Sequence, residues 1–318
     1  MSLLQALVQQ MRLEADGVVS VELRPTDGGE FPPFDAGAHI DLHLANGLVR
    51  NYSLLNSSTE RHRYVIGVLR DRATRGGSRY VHETLRVGAT LPISAPRNNF
   101  PLHEGAEHSV LIAGGIGVTP ILSMGRRLRE LGGSFELIYF ARSRASAAFL
   151  NELQALGAQI TTHFDDEAGG PPDLRALLEA HRPHAGLHLY ACGPAPLLDA
   201  FERYAAEFGH TNAHIERFAA VEQKPAEGAR ATYVVHLAKT GRTLQVTPGT
   251  SLLDQLLESG VQVDHSCCEG VCGTCQTSVL EGTPDHRDSI LTAKERASGK
   301  LMMVCVSGCK SERLVLDL

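Results

Sequence analysis

The chain has 318 residues, room for two or three domains, and its 30 basic against 36 acidic residues leave a net charge of −6. With 43% hydrophobic and 21% charged residues and no Lys/Arg-rich run, nucleic acid and an anionic membrane surface are poor partners. No apolar stretch approaches the roughly 20 residues that span a bilayer, and MSLLQALVQQMRLEADG lacks a secretory signal's basic start, so a cytoplasmic protein is expected.

The first hundred residues read as short strands. Residues 18–25, 39–47, 50–56 and 63–71 alternate apolar and polar, with Gly and Pro between them, which predicts a small antiparallel barrel or sandwich. Near Pro101 the pattern changes. Apolar runs at 109–113, 135–140 and 188–193 alternate with helical stretches near 119–131, 145–156, 173–181 and 195–208. Such alternation predicts a parallel sheet of βαβ units. A polar stretch over 221–231 reads as a linker. Beyond it come two strands, a helix over 251–260 capped by Ser251 and ended by Gly260, a cysteine-rich loop and a last strand, RLVLDL.

Six of the seven cysteines lie within residues 267–309. An odd count in a reducing compartment disfavours disulfides and favours a metal or redox role. Cys267-x4-Cys272-x2-Cys275 with a distant Cys305 has the plant-type spacing of a [2Fe–2S] cluster. Gly270 and Gly273 let the loop turn sharply enough for three thiolates to converge. Zinc can use the same four thiolates, but structural zinc usually takes paired short spacings at both ends, and the cluster is preferred. Cys268-x3-Cys272-x2-Cys275 also fits a radical-SAM loop, yet too little chain follows it to build the barrel of such enzymes. Cys268 and Cys309 are left as structural thiols.

Gly114-Gly115-Ile116-Gly117-Val118-Thr119-Pro120 follows an apolar strand and opens a helix, which suits the pyrophosphate of a nucleotide. The acidic ribose partner usual about 20 residues later is absent. Arg142-Ser143-Arg144 stands there instead, so the loop departs from the standard dinucleotide fingerprint. A tight βα turn without a ligand remains the plain alternative. In the first segment, Arg50-Asn51-Tyr52-Ser53-Leu54 and Arg75-Gly76-Gly77-Ser78 combine a phosphate-binding cation, a ring for stacking and a donor-rich turn. Each is weak alone.

Together, in this order with Cys192-Gly193-Pro194, these motifs resemble the phthalate dioxygenase reductase family, to which vanillate O-demethylase reductases belong. The resemblance covers essentially the whole chain, including the ending MMVCVSGCKSERLVLDL. It implies an FMN-binding antiparallel β-barrel domain (1–103), a ferredoxin-reductase-like NAD(P)-binding α/β domain (104–222), a linker (223–231) and an α+β β-grasp plant-type ferredoxin (232–318). It further implies that Ser53 sits near the flavin reactive nitrogen and that Tyr52 packs on the flavin. Arg50, Leu54, Arg75, Gly76, Gly77 and Ser78 would line the flavin and its phosphate, and Phe218 its other face. Gly114, Gly115, Gly117, Thr119, Pro120, Arg142, Ser143, Cys192, Gly193 and Pro194 would take the nucleotide, with Thr119 and Cys192 near the nicotinamide. Cys267, Cys272, Cys275 and Cys305 would hold the cluster. A C-terminal ferredoxin favours FMN over FAD, and the family leans to NADH over NADPH. The family ending usually lacks a cysteine where this chain has Cys309.

The implied activity is electron transfer from NAD(P)H through a flavin, which accepts a pair and releases single electrons, to the cluster. The implied partner is a Rieske non-haem iron oxygenase docking transiently on a monomer. Eight basic and ten acidic residues from Thr232 onward hint at a weakly acidic docking face. His265 reads as a surface residue and Asp285-His286-Arg287-Asp288 as a loop network. A free-standing NAD(P)H:acceptor reductase is the alternative, and a non-enzymatic zinc module the more distant one.

Overall fold

The structure is a computed structural model that describes residues 3–71, 76–219, 228, 232–247 and 249–318. Arg75 and nearly all of the expected linker lie outside the described residues. The chain divides into two compact units, Met1–Glu216 and Arg217–Leu318.

The first unit begins with a six-stranded antiparallel sheet. Its strands are β1 (Leu4–Ala15), β2 (Val18–Pro25), β3 (His39–His43), β4 (Val49–Ser53), β5 (Tyr64–Leu69) and, after the short helix α1 (Gly77–Glu83), β6 (Thr90–Ile93). They lie in the order β4-β3-β6-β1-β2-β5. The outer strands meet: Leu54 bridges Ile66, and the Leu55 N–H donates to the Val65 carbonyl at 2.9 Å. The sheet therefore closes into a barrel at the end of β4, where the Arg50–Leu54 motif sits. Its interior holds Val8, Val21, Leu23, Ile40, Leu42, Ile66 and Ile93, all buried, as the period-2 pattern requires. β1 was not expected as a strand, and the Gly76–Ser78 turn proves to be the start of α1.

A five-stranded parallel sheet follows: β7 (His108–Gly114), β8 (Phe135–Ala141), β9 (Gln159–Phe164), β10 (Leu187–Cys192) and β11 (Ala213–Glu216). The connecting helices are α2 (Val118–Leu131), α3 (Leu150–Gln154), α4 (Asp165–Ala168), α5 (Leu174–Ala180) and α6 (Ala195–Phe208). The expected helix over 145–156 is shorter because Phe149 takes a left-handed conformation (φ 62°) just before α3. β7 and β10 are almost wholly buried because helices cover both faces. The core under α2 continues into barrel residues Val18, Leu55 and Phe100. With strand order β11-β10-β7-β8-β9, the direction of winding reverses between β7 and β10. In such sheets a ligand crevice opens there, beyond the carboxyl ends of the strands.

The second unit has a mixed sheet in the order β13-β12-β18-β14-β16, built from β12 (Tyr233–Leu237), β13 (Thr243–Val246), β14 (Gln276–Glu281), β16 (Leu301–Met303) and β18 (Arg313–Leu316). A two-residue pair, β15 (Pro284–Asp285) and β17 (Gly308–Cys309), lies beside it. Helix α7 (Leu252–Glu258) buries Leu252, Leu253 and Leu256; Ser251 caps it, accepting from the Asp254 N–H at 3.1 Å, and Gly260 (φ 79°) ends it. Helix α8 (Ala293–Ser298) precedes β16. A mixed sheet grasping one helix is the β-grasp arrangement.

Candidate functional site

Where the barrel closes, Arg50 and α1 interlock. A methyl group on Gly77 would lie 2.6 Å from the Arg50 Cγ and Nε, so only glycine leaves room for that side chain. Gly76 (φ 102°) turns the chain into α1, and the Ser78 hydroxyl accepts from the Asp71 N–H at 3.3 Å. A guanidinium beside a glycine turn and a hydroxyl suits a phosphate monoester, the group that FMN presents. Burial pushes the Tyr52 phenol up to about 12, with Arg50 opposing, so it stays a neutral ring. Leu54 is fully buried at the seam and Ser53 nearly so.

Ser53 faces the nucleotide sheet. Its hydroxyl donates to Glu216 Oε2 at 3.5 Å. Glu216 closes β11 beside Cys192, its register partner on β10. Burial pushes the Glu216 carboxyl up to about 8, against the Ser53 hydrogen bond. Burial, then Glu216, raise the Cys192 thiol well above its usual range. At neutral pH this corner therefore holds a hydroxyl, an un-ionised carboxyl and a thiol. Glu216 did not stand out in the sequence, because nothing near it in the chain shows that Ser53 meets it.

The glycine loop does two jobs. A Cβ on Gly117 would run into the Cys192 carbonyl, and one on Gly114 would lie 2.6 Å from Leu197 Cδ2 and 2.8 Å from Pro194 Cδ. Two of the three glycines thus let the Gly114–Thr119 and Cys192–Pro194 loops touch, while Gly115 (φ 53°) has open space at its Cβ position. Thr119 is buried; its hydroxyl donates to the Ile116 carbonyl at 3.0 Å. A Cβ on Gly67 of β5 would lie 2.7 Å from the Thr119 methyl, so the barrel packs directly on this turn. Pro120 sits in the first turn of α2.

Arg142 and Ser143 follow β8. Ser143 forms a capping box with Ser146, and the Arg142 carbonyl accepts from the Asp166 N–H at 3.1 Å. Arg144 stacks over Phe164 at 4.4 Å and pairs with Glu167 through two 3.1 Å contacts. Carboxylates therefore do stand at the strand ends, as Asp165, Asp166 and Glu167 after β9, one strand beyond the expected place. Phe218, two residues past Glu216, is 41% exposed.

In the second unit, Cys267, Cys272, Cys275 and Cys305 are all buried, and their sulfurs fall into two pairs. The Cys267 thiol donates to Cys272, holding Cys272 down and itself up; Cys305 donates to Cys275 with the same result. A [2Fe–2S] cluster needs two thiolates for each of two irons, and this set fits it. Among the described residues no three His, Cys, Asp or Glu side chains converge as ligands of a single ion. The loop also turns N–H groups on the sulfurs: that of Glu269 donates to Cys267 Sγ at 3.3 Å. Gly270 (φ 70°) and Gly273 (φ 74°) supply the turns, and Cys268 is exposed with φ 55°. Cys309 is buried outside both pairs and donates to the Ser311 carbonyl at 3.0 Å.

A flavin-type barrel packed on a switch-point crevice, with a four-thiol loop further along the chain, makes a reductase that couples nicotinamide oxidation to an iron–sulfur centre. Comparison with known proteins agrees. The model of the 2Fe-2S iron-sulfur cluster binding domain matches residues 235–310, and that of the dimethylamine monooxygenase subunit DmmA-like N-terminal domain matches 94–215. The phenoxybenzoate dioxygenase subunit beta of Ectopseudomonas oleovorans is 49% identical over 96% of this chain and 94% of its own. Vanillate O-demethylase oxidoreductase of Pseudomonas sp. (strain HR199 / DSM 7063) is 44% identical over 99% of this chain and all of its own. The solved phthalate dioxygenase reductase, described as a modular structure for electron transfer from pyridine nucleotides to [2Fe–2S], superposes with TM-score 0.73 at 36% identity, covering 100% of this chain and 98% of that one. An intact type IV self-sufficient cytochrome P450 monooxygenase superposes with TM-score 0.90 at 37% identity over 99% of this chain, which spans only 41% of that longer one.

The chain belongs to the phthalate dioxygenase reductase and vanillate O-demethylase reductase family. It is an NAD(P)H-dependent flavin/iron–sulfur oxidoreductase that passes electrons to an oxygenase, with FMN, NAD(H) and a [2Fe–2S] cluster as its cofactors. No helix among the described residues is long and apolar enough to cross a membrane.

Proposed function

We propose that this reductase serves a Rieske-type terminal oxygenase, drawing on NADH and delivering electrons one at a time. The observation that carries the reading is the corner where Ser53 of the barrel motif meets Glu216 and lies near Cys192 of the nucleotide sheet. It joins the flavin-binding motif to the carboxyl ends of the strands where a nicotinamide would arrive. FMN, when bound, takes an electron pair as hydride and returns single electrons, the unit a [2Fe–2S] cluster accepts.

The residues of this chain bind and orient. Arg50, Gly76, Gly77 and Ser78, joined by Arg75, hold the flavin phosphate, while Tyr52 gives its ring an apolar wall and Leu54, buried in the core behind it, fixes the strand end. Ser53 presents its hydroxyl toward the flavin, positioned by the un-ionised Glu216 carboxyl. The half-buried Glu216 and the fully buried Cys192, both neutral, keep charge away from the point of transfer. Gly115 opens the backbone to the pyrophosphate, Thr119, Gly193 and Pro194 shape the nicotinamide side, and Arg142 and Ser143 line the far end. Cys267, Cys272, Cys275 and Cys305 would hold the [2Fe–2S] cluster, which would accept the single electrons. Residues 1–103, 104–222 and 232–318 are the flavin, nucleotide and cluster domains, joined by 223–231. The protein works as a cytoplasmic monomer that docks transiently.

The test is anaerobic mixing of the NADH-reduced protein with a purified Rieske oxygenase component, following loss of the oxidised Rieske absorption. Rapid reduction that Cys272→Ser abolishes is expected. Reduction of dyes and quinones with no transfer to the Rieske protein would mark a free-standing reductase instead.

A further inference from the structure

Among the described residues, only Phe149 and Cys268 take a positive φ without being glycine. For a bulky side chain that backbone is an outlier, and such outliers persist where the surroundings fix them, often beside functional sites. Cys268 belongs to the cluster loop. Phe149 lies outside the flavin, nucleotide and cluster motifs. It precedes α3 at φ 62° and ψ 24° and is only 2% exposed. Glycine or asparagine would take this conformation at less cost, so the aromatic ring is what the position requires.

The ring meets Thr119 over Gly67 of β5. A Cβ on Gly67 would lie 3.1 Å from both Cε2 and Cζ of Phe149 and 2.7 Å from the Thr119 methyl. Ring and methyl therefore rest together on one glycine of the barrel wall. The Thr119 hydroxyl is spent on the Ile116 carbonyl at 3.0 Å, which leaves the methyl as the part of the side chain that the barrel contacts. Phe149 also borders a cavity of about 130 Å³, lined further by Leu55, Asn56, Val65 and Arg126. Packing alone would let the ring retreat there, because atoms that face a void lack neighbours on that side. The left-handed backbone, tied into α3 by the Leu153 N–H donating to the Phe149 carbonyl at 2.9 Å, holds it forward.

We propose that Phe149 is a positioning residue for hydride transfer, its ring fixing the Thr119 side chain against Gly67 on the side where the nicotinamide arrives. The proposal rests on the reading that sets Thr119 beside the nicotinamide. A displacement of about 1 Å at the reacting atoms can cost about a hundredfold in rate. Losing the ring lets Thr119 shift by a fraction of that, and the expected loss is about tenfold. The comparison that isolates the contact pairs Phe149→Leu with Thr119→Ser, which keeps the hydroxyl and removes only the methyl that shares Gly67 with the ring.

The experiment is anaerobic stopped-flow reduction of the full-length, cofactor-loaded protein by NADH, as wild type, Phe149→Leu, Thr119→Ser and the double variant, with flavin content measured for each. The limiting rate should fall about tenfold in Phe149→Leu while half-saturation by NADH stays within about twofold of wild type. The double variant should be no slower than the slower single variant, because both changes break one contact. A wild-type limiting rate in Phe149→Leu or in Thr119→Ser overturns the proposal. Single effects that multiply in the double variant overturn it too, and leave the ring as support unconnected with Thr119. Thr119→Ala tests the reading beneath. An unaltered rate there removes Thr119 from the nicotinamide and overturns both, whereas a slow Thr119→Ala beside a wild-type Phe149→Leu overturns the proposal alone. If Phe149→Leu does not retain flavin, Phe149→Met, with a longer apolar chain, takes its place under the same criteria.

Discussion

Glu216→Gln isolates the strongly raised carboxyl at the corner beside Ser53. Glu216 is half-buried, and its loss of water contacts moves its carboxyl from 4.5 to about 8. The folded state therefore binds this proton more tightly than the unfolded chain does. The stability it contributes is complete below pH 4.5 and is lost as pH rises toward 8. One pH unit within that window is worth about 1.4 kcal/mol, so from pH 5.5 to 7.5 the wild type should lose roughly 2–3 kcal/mol that a neutral glutamine does not lose. For a unit of this size that is about 5–10 °C in melting temperature. Thermal unfolding of both proteins at pH 5.5, 6.5 and 7.5, followed through flavin release, reads it directly. The gap between glutamine variant and wild type should widen steadily with pH. Parallel melting curves at all three pH values would show that Glu216 is ionised in the native protein, and the neutral corner beside Ser53 would have to be abandoned.

Gly77→Ala drives a methyl group to 2.6 Å from the Arg50 side chain; the flavin should be held about tenfold to a hundredfold more weakly by fluorescence titration, with cluster absorption unchanged. Gly117→Ala collides with the Cys192 carbonyl and must part the two loops of the crevice. Flavin reduction by NADH in stopped flow should slow by about a hundredfold, a displacement of about 1 Å being enough for that. Ser53→Ala should slow the same step while leaving flavin content intact, and an unaltered rate would remove Ser53 from the reaction. Cys272→Ser should erase the visible signature of the cluster while NADH still bleaches the flavin.

The placement of the motifs in the fold was legible where they are local. The cysteine spacing, the glycine loop and Arg50–Leu54 each lie within one short stretch, and each is placed on the turn or strand end its composition implied. What escaped depended on distant neighbours. Glu216 is an ordinary strand residue until the fold brings Ser53, 163 positions away, against it. β1 is rich in Leu, Gln, Ala and Glu, which favour helix, yet pairing along β2 and β6 makes it a strand. α1 starts on glycine, a poor helix former, because Arg50 occupies the space any other side chain would need. The carboxylates after β9 were missed because the usual spacing rule looks to β8, whereas Arg144 reaches across to Glu167.

The four thiols proposed to hold the cluster do not share one stretch of chain: three lie within residues 267–275, and Cys305 follows β14, β15, α8 and β16. Iron bound there is also a covalent strap across the intervening thirty or so residues. A tie of that span removes about 3–4 kcal/mol of freedom from the unfolded chain by the relation used for disulfides. Iron supply would then govern how long the polypeptide survives as well as how well it conducts. A cell short of iron would carry a more readily digested reductase, with the first cleavages falling between Cys275 and Cys305.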